Sequence, residues 1–230
     1  MAQFLKWGLR ISIAGLLLLS VIGLIPGPWW LELFVHFRLQ YLLALLLLLP
    51  LAWKLRDRVC LQAWSLALGF NLMFLAPFYW GGAQGTKDGR VLLCNVLSSN
   101  PTPARVVEFL EKEQADVVVL LEVTPSWMPL LEAPMARYPG QIARPRQDNF
   151  GMLVLSRQPW DNVRIVDEQV FPLIFAETRL GSKKIHLVAA HPPPPISAEA
   201  SAIRNLQLQQ IKAQAGQATV LMGDLNNTPW

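Results

Sequence analysis

The chain has very little cysteine, with two residues in 230. Cys60 lies next to a basic segment and Cys94 lies within an apolar run, so a disulfide between them is not expected, and both are typical of small buried apolar residues. Charge is also scarce, at 16% of the residues, and the stretches 11–31, 39–53 and 59–80 have none. These stretches explain a hydrophobic content of 53%, which is high for a soluble protein.

The uncharged stretches predict transmembrane helices, because about 20 apolar residues cross the hydrocarbon core of a bilayer. The predicted spans are about 11–31, 33–53 and 59–80. The middle span reaches this length only if it begins near Leu33 and lets Arg38 extend to the interface. Six of the nine tryptophans fall in residues 1–80, mostly near span ends, as in aromatic belts. The sequence therefore predicts a three-helix membrane anchor, with the lipid bilayer as a partner.

The basic residues predict the orientation of this anchor. Lys6 and Arg10 precede the first span, and Lys54, Arg56 and Arg58 lie between the second and third. The positive-inside rule places these segments, and the N-terminus, in the cytoplasm. The part after the third span is then extracytoplasmic, and we expect the protein in a bacterial plasma membrane. A cleaved signal peptide is the alternative for the first span, but no small-residue cleavage site follows it.

The part of the chain after residue 80 is electrically neutral. Residues 1–80 contain six basic and two acidic residues, which account for the whole net charge of +4, and the remainder carries 14 of each sign. Proteins that bind nucleic acid normally present a basic surface. A nucleic acid is therefore a disfavoured partner, although a local basic patch is compatible with these numbers.

A glycine-rich linker at 81–89 is followed by the pattern of an α/β domain at 90–230. Short apolar runs predict strands, and longer amphipathic segments predict helices. Strands are expected at 90–97, 116–121, 151–156, 163–166, 175–180, 185–190 and 219–222, and helices at 103–114 and 198–214. The second helix should place Ile203, Leu206 and Ile211 on its inner face.

The most informative segment is Gly223-Asp224-Leu225-Asn226, which follows the apolar run 218–222. If the strand continues, the side chains of Asp224 and Asn226 point to the same side, because side chains alternate along an extended chain. An acid and an amide placed in this way can hold a phosphate and a water. Gly223 would leave the backbone open to a substrate. A polar turn after a core strand is the alternative, since these residue types also form turns.

Three further strand ends carry polar residues that a buried strand does not need, namely Asn95, Glu122 and His191. Taken one at a time, each has a structural explanation. Asn95 could be a core amide whose hydrogen bonds are satisfied, Glu122 a charge at a strand end, and His191 a turn cap before proline. With Asp224 and Asn226 they form a consistent set, because Mg²⁺ binds one or two carboxylates together with waters and a substrate phosphate. A histidine and an Asp/Asn pair supply the rest of a phosphoester hydrolysis site. The expected cofactor is Mg²⁺ or Mn²⁺.

These motifs, in this order, resemble the endonuclease/exonuclease/phosphatase superfamily over about residues 90–230. The resemblance rests on Asn95-Val96, Leu121-Glu122-Val123, His191 and Gly223-Asp224-Leu225-Asn226. It implies a DNase I-like fold, an α/β two-layer β-sandwich with the site at one edge. The three-span anchor ahead of it is similar to that of the bacterial glycopeptide-resistance membrane phosphatases of this superfamily.

The resemblance also implies a role for each residue of the set. Glu122 is expected to be a metal ligand, and Asn95 to support the metal and the phosphate. Asp224 is expected to orient or deprotonate the attacking water. Asn226 would contact the phosphate, and His191 would stabilise the phosphoryl oxygens or assist the leaving group.

Two features depart from this pattern or leave a role open. Arg204, on the helix before the last strand, is a candidate phosphate contact, with a surface or structural ion pair as the alternative. Family members continue to a Ser-Asp-His-type segment whose Asp and His complete the site, and this sequence stops at Trp230 before such a segment. We therefore expect an incomplete sandwich with exposed edges, a fragment or truncated relative, and weak or absent activity of the 230-residue chain.

Three functions follow from the sequence. The favoured one is a membrane-anchored, divalent-metal-dependent phosphoester hydrolase that acts outside the cytoplasm, on a lipid phosphate, a lipid pyrophosphate or another phosphoester. Tethering raises the effective concentration of a membrane substrate. An extracytoplasmic nuclease is the second, and a steep salt dependence of DNA binding would support it. An inactive membrane protein is the third. The sequence gives no indication of the oligomeric state.

Overall fold

The computed structural model describes residues 1–25, 27–79, 89–167, 171–214 and 218–228. They fall into two compact units, the first made mainly of residues 1–79 and the second mainly of residues 89–226. The predicted linker at 81–89 lies outside the described residues except for Gly89.

The first unit consists of apolar helices. Its elements are α1 (Ala2–Ile22), α2 (Trp29–Glu32), a 3-10 turn (Leu33–Phe37), α3 (Arg38–Lys54), α4 (Arg58–Leu75) and a second 3-10 turn (Ala76–Phe78). Asp57 caps the start of α4, where its carboxylate accepts a hydrogen bond from the Cys60 N–H. The same carboxylate pairs with Arg10 of α1 at 3.0 Å, so α1 and α4 are joined at this end.

Among the described residues, three helical segments are long and apolar enough to cross a membrane: Gln3–Ile22, Trp29–Lys54 and Arg58–Phe78. The first differs from the predicted span at 11–31, because α1 ends at Ile22 and Gly23 caps it, although the sequence stays apolar beyond. The second begins before Leu33. Arg38 is fully buried among the helices and does not extend away from them.

The second unit contains two four-stranded sheets. The first sheet has the order β1-β2-β4-β3 and the second β5-β6-β7-β8. The strands are β1 (Val91–Asn95), β2 (Val117–Leu121), β3 (Gly140–Arg144), β4 (Met152–Ser156), β5 (Asn162–Val166), β6 (Leu173–Leu180), β7 (Lys183–Ala190) and β8 (Thr219–Gly223). Two neighbouring pairs, β1 with β2 and β7 with β8, are parallel, and the others are antiparallel.

The two sheets pack face to face, with helices on the outside. The shared core includes Val119 and Met152 of the first sheet and Ile174, Leu187 and Met222 of the second. The outer layers are α5 (Pro103–Glu113) and α6 (Met128–Met135) on the first sheet and α7 (Ala198–Gln214) on the second. The predicted β-sandwich fold, preceded by three apolar helices, is therefore confirmed.

The sequence-based prediction did not include two elements, and it assigned the wrong buried side to one helix. β3 and α6 were not predicted, because Gln141 and Arg144 break the apolar run of β3, and Pro129 and Pro134 obscure the short α6. α7 buries Ser201, Arg204, Gln207 and Ile211. The predicted inner residue Leu206 is 44% exposed, because the buried side of α7 is partly polar and apolar character did not mark it.

Both cysteines are free thiols, as the sequence predicts. Cys60 is buried, whereas Cys94 is only half-buried and packs against the core between the first sheet and its helices. Burial raises the pKa of the Cys94 thiol, which keeps it protonated at neutral pH.

Candidate active site

Four of the residues expected from the sequence, Glu122, His191, Asp224 and Asn226, line one cavity of about 190 Å³ in the second unit. The lining is completed by Asn149, Phe150 and Pro194. The topology explains why residues so far apart in sequence meet here. Each follows the carboxyl end of a strand or lies in the turn after it. Parallel pairing of β7 with β8 brings His191 and Asp224 to one edge of the second sheet, and packing of the two sheets brings Glu122 to them.

Glu122 and Asn95 form the part of the site that belongs to the first sheet. β1 and β2 run parallel with Asn95 opposite Leu121, so both polar side chains lie at one edge. Asn95 Nδ2 donates to Glu122 Oε1 at 2.7 Å, and the Ser98 N–H donates to Glu122 Oε2 at 3.2 Å. Glu122 has a positive φ of 63°, a conformation that is rare for residues other than glycine. This backbone turn and two donors fix the carboxylate at the cavity.

Asp224 and Asn226 form the part that belongs to the second sheet. β8 ends at Gly223, and the Asn226 N–H donates to Asp224 Oδ1 at 3.0 Å. Asn226 has a φ of 48°, and its Nδ2 donates to the Pro192 carbonyl oxygen at 2.8 Å. The two side chains line the same cavity, but the reason predicted from the sequence is wrong. A tight turn closed by the carboxylate brings them together, and not the alternation of an extended strand.

Gly223 also has a different role from the one predicted. β7 and β8 run parallel with Ala190 opposite Gly223. A Cβ atom at position 223 would lie 1.9 Å from the Ala190 carbonyl oxygen. The glycine therefore allows close contact between the two strands that precede His191 and Asp224.

Gly223→Ala is expected to destabilise the fold. Overpacking of a core costs about 1–3 kcal/mol, and a contact this close to backbone should reach at least the upper part of that range. The measurement is the thermal unfolding midpoint of the purified chain. Glu108→Ala on the exposed side of α5 is the control and should change it little. An equal midpoint for Gly223→Ala and the unsubstituted chain would contradict the strand contact.

His191 is almost fully buried, with 4% of its surface exposed. Its ring lies 5.2 Å from the Phe150 ring, centre to centre, and its Nδ1 has no hydrogen-bond partner among the described residues. Burial lowers the pKa of His191, against the opposing effect of the Asp224 and Glu122 carboxylates. The imidazole is therefore neutral at neutral pH, and it can donate or accept a hydrogen bond in the cavity.

The lowered pKa of His191 predicts a loss of stability in acid. The unfolded chain takes up a proton near the ordinary value of 6.5, whereas the folded chain does so only at lower pH. Stability is therefore full above about pH 6.5 and falls as the pH drops through the folded pKa. The drop in unfolding midpoint between pH 7.5 and 5.5 should be smaller for His191→Gln. Gln209→Asn on the exposed side of α7, which changes no titratable group, should leave the drop unchanged. If both variants behave alike, burial of His191 is not its cause.

Two residues that line the cavity, Asn149 and Phe150 in the loop before β4, were not predicted from the sequence. Ser98 Oγ donates to Asn149 Oδ1 at 2.6 Å, which joins this loop to the segment after β1. A Cβ atom at Gly151 would lie 1.9 Å from the Val123 carbonyl oxygen. The glycine therefore holds the loop against the residue that follows Glu122. An Asn-Phe-Gly sequence just before a buried strand was the available signal.

Arg204 lies on α7 and is not among the residues that line the cavity. It is 1% exposed, and its guanidinium donates to the Asn226 carbonyl oxygen at 3.4 Å and to Asn205 Oδ1 at 2.8 Å. These contacts place it behind the Asp224–Asn226 turn. The structure therefore gives it a buried contact with the turn backbone.

The donor set of the cavity suits a hard divalent cation. Among the described residues no cluster of three or more His, Cys, Asp and Glu side chains could hold a metal by itself. Glu122 and Asp224 supply two carboxylates, and Asn149 and Asn226 supply amide groups. Asn95 is not among the lining residues and lies beside the cavity through its bond to Glu122, while its Oδ1 accepts from the Leu97 N–H at 2.9 Å. Mg²⁺ is normally bound by one or two carboxylates, with waters and substrate phosphate as the other ligands. The residues present therefore fit such an ion.

Comparison with known proteins gives one family and several structural neighbours. The model of the Endonuclease/Exonuclease/phosphatase family matches residues 92–230, which is more than half of the chain. None of the curated proteins compared with the chain matches it. Humanized D. rerio TDP2 superposes with a TM-score of 0.50 at 18% identity, over 62% of this chain and 64% of that one.

Two further solved structures are similar. TDP2 from C. elegans has a TM-score of 0.50 at 18% identity, over 82% of this chain and 62% of that one. The endonuclease/exonuclease/phosphatase from Beutenbergia cavernae DSM 12333 has a TM-score of 0.48 at 21% identity, over 61% of this chain and 48% of that one. The chain thus spans less than two thirds of the length of these structures. Its fold and the match over residues 92–230 agree, and the chain belongs to the endonuclease/exonuclease/phosphatase family, whose members are phosphoester hydrolases.

Proposed function

We propose that the protein is a membrane-anchored, divalent-metal-dependent phosphoester hydrolase with its catalytic domain outside the cytoplasm. The observation that carries the proposal is the single cavity shared by Glu122, His191, Asp224 and Asn226. Two carboxylates, an amide and a neutral imidazole provide a base, a phosphate contact and hydrogen bonds for the charge that develops on phosphoryl oxygens.

Asp224 is the base in this proposal. Its Oδ1 is occupied by the Asn226 N–H, and no described residue donates to its Oδ2. The carboxylate is exposed on the cavity side. Oδ2 can therefore accept a hydrogen bond from a water and take its proton as the water attacks phosphorus.

His191 and Asn226 bind the phosphoryl group. The neutral His191 ring donates one N–H to a phosphoryl or leaving-group oxygen, and Phe150 excludes water from one side of it. Asn226 Nδ2 already donates to Pro192 at 2.8 Å, so its second amide hydrogen is the one that can reach phosphate. Glu122 and Asn95 would hold Mg²⁺ or Mn²⁺, which when bound neutralises negative charge on the phosphoryl oxygens.

The membrane anchoring is supported by the three apolar helices that precede the domain. Their outward-facing side chains are apolar: Leu47 is 80% exposed, and Trp53 and Leu66 are also exposed. Exposed apolar surface of this extent is unfavourable in water and favourable in lipid. The basic residues flanking the helices favour a cytoplasmic N-terminus. A phosphate or pyrophosphate on a lipid is the substrate class that such an anchor would serve best.

The experiment is hydrolysis by the full chain in detergent with Mg²⁺, measured on two substrates in parallel. One is a polyprenyl pyrophosphate, with release of inorganic phosphate as the readout, and the other is plasmid DNA. Phosphate release that is lost in Asp224→Asn supports the proposal. Cleavage of DNA alone would replace it with a nuclease, and phosphate release that persists undiminished in Asp224→Asn would overturn it.

A further inference from the structure

The first unit contains a buried arginine that the proposed chemistry does not use. Arg38, the first residue of α3, is fully enclosed, with 0% of its surface exposed. Its guanidinium carbon lies 4.1 Å from the ring centre of Phe74 and 5.5 Å from that of Phe70, both on α4. The charge is therefore held in place by two aromatic rings inside an apolar helix bundle.

In the part of the chain that the structure describes, no acceptor bonds to this guanidinium. Its Nε, Nη1 and Nη2 have no partner among the described residues. Neither Tyr41 nor Asn71 accepts from it: the Tyr41 hydroxyl donates to the Phe34 carbonyl oxygen, and the buried Asn71 Oδ1 is itself without a partner among the described residues. The arginine thus keeps five N–H donors available while it is enclosed by protein.

A buried guanidinium without hydrogen-bond partners favours the binding of an anion. Aromatic rings attract a cation but accept none of its hydrogen bonds in the plane of the guanidinium. Buried charges are otherwise paired, and ionisable residues inside membrane helices commonly mark ligand or ion sites. The planar fork of arginine matches the oxygen pairs of a phosphate.

The position of Arg38 along α3 indicates where the anion comes from. α3 runs for 17 residues from Arg38 to Lys54, which corresponds to about 25 Å at 1.5 Å per residue. The hydrocarbon core is about 30 Å thick, so with Lys54 at one surface Arg38 lies close to the other. Lipid phosphates lie just beyond that boundary.

We propose that Arg38 binds the phosphate of a membrane lipid between the helices of the anchor. This inference rests on the proposed membrane anchoring but not on hydrolysis. Because the guanidinium is enclosed, neighbouring side chains must move for a head group to reach it, and binding should be slow.

The test is lipid binding by the full chain carrying Asp224→Asn, so that turnover does not interfere. The chain is placed in phosphatidylcholine nanodiscs, and transfer of tryptophan fluorescence to a labelled phosphatidic acid is titrated. Arg38→Gln should weaken binding by about tenfold or more, the loss expected for a charge-assisted phosphate contact. Arg38→Lys keeps the positive charge but lacks the planar guanidinium, and it should lose less affinity for the labelled lipid.

The control variant is Arg58→Gln, which removes the same charge from the exposed start of α4. It should bind the labelled lipid like the parent chain. Labelled diacylglycerol, which has no phosphate, should show only background transfer, and millimolar inorganic phosphate should not compete. Equal losses for Arg38→Gln and Arg58→Gln would overturn the proposal, as would full competition by inorganic phosphate, which would assign the site to the free anion.

Thermal unfolding gives a second readout that does not depend on the label. Phosphatidic acid should raise the unfolding midpoint of the chain that retains Arg38, because a ligand stabilises the state that binds it. Arg38→Met should abolish this shift while raising the midpoint measured without the lipid, since an unpaired buried charge is replaced by an apolar side chain. A lipid-induced shift that persists in Arg38→Met would overturn the proposal. Failure of the hydrolysis experiment alone would leave both binding readouts unaffected.

Discussion

Asp224→Asn is expected to lower phosphoester hydrolysis by about 10²- to 10⁴-fold, the range for loss of a general base. Asparagine has the same shape, and its side-chain oxygen can still accept the Asn226 N–H that now bonds to Oδ1 at 3.0 Å. The turn should therefore remain intact while the proton acceptor is lost. Initial rates with Mg²⁺ at saturating substrate measure the effect on kcat.

Asp161→Asn is the matched control for this substitution. Asp161 is an exposed carboxylate just before β5 and is not among the residues that line the cavity. It should leave the rate within about a factor of two, as expected for an exposed residue outside the site. The assignment of Asp224 as the base fails if Asp224→Asn keeps a tenth or more of the parent rate with an unchanged unfolding midpoint.

Glu122→Gln is expected to weaken binding of a divalent cation and to abolish most of the activity. Both carboxylate oxygens accept hydrogen bonds, one from Asn95 Nδ2 and one from the Ser98 N–H. A glutamine must place its NH₂ group against one of these donors, so the side chain loses its charge and also one of its hydrogen bonds. Changes to groups that only orient metal ligands cost about 10–100-fold in affinity, and loss of a ligand should cost at least as much.

The measurement is titration of the full chain with Mn²⁺, followed by its electron paramagnetic resonance signal. Glu132→Gln, which removes an exposed carboxylate of α6, is the control and should bind as the parent does. Unchanged affinity in Glu122→Gln would remove Glu122 from the metal site while leaving the base assignment of Asp224 to be judged by its own experiment.

The strands of the two sheets were largely predictable, because seven of them are short apolar runs. β3 was not, since its burial depends on pairing with β4 and not on its own composition. The buried side of α7 was also unpredictable, because it contains Arg204 and Gln207, whose environment exists only after the helix packs. Local pattern indicates which segments are apolar, but not which polar groups tertiary packing will enclose.

The site was predictable to the extent that it depends on strand ends. Glu122, His191 and Asp224 could be singled out as polar residues after apolar runs, and they line one cavity. Asn149 could not, because a loop residue enters the site only through a contact such as the one from Ser98. The conformation of the Asp224–Asn226 turn was likewise unpredictable, since a positive φ at Asn226 is set by hydrogen bonds to residues distant in sequence.

The two halves of the site are carried by different sheets, Glu122 and Asn95 by the first and His191, Asp224 and Asn226 by the second. No covalent segment within the site sets the distance between the halves. That distance depends on the apolar side chains between the sheets, among them Leu121 and Met222, which lie within two residues of Glu122 and Asp224. The thickness of the core is therefore a catalytic parameter, and a substitution that thins it can slow the reaction without altering any group that meets the substrate.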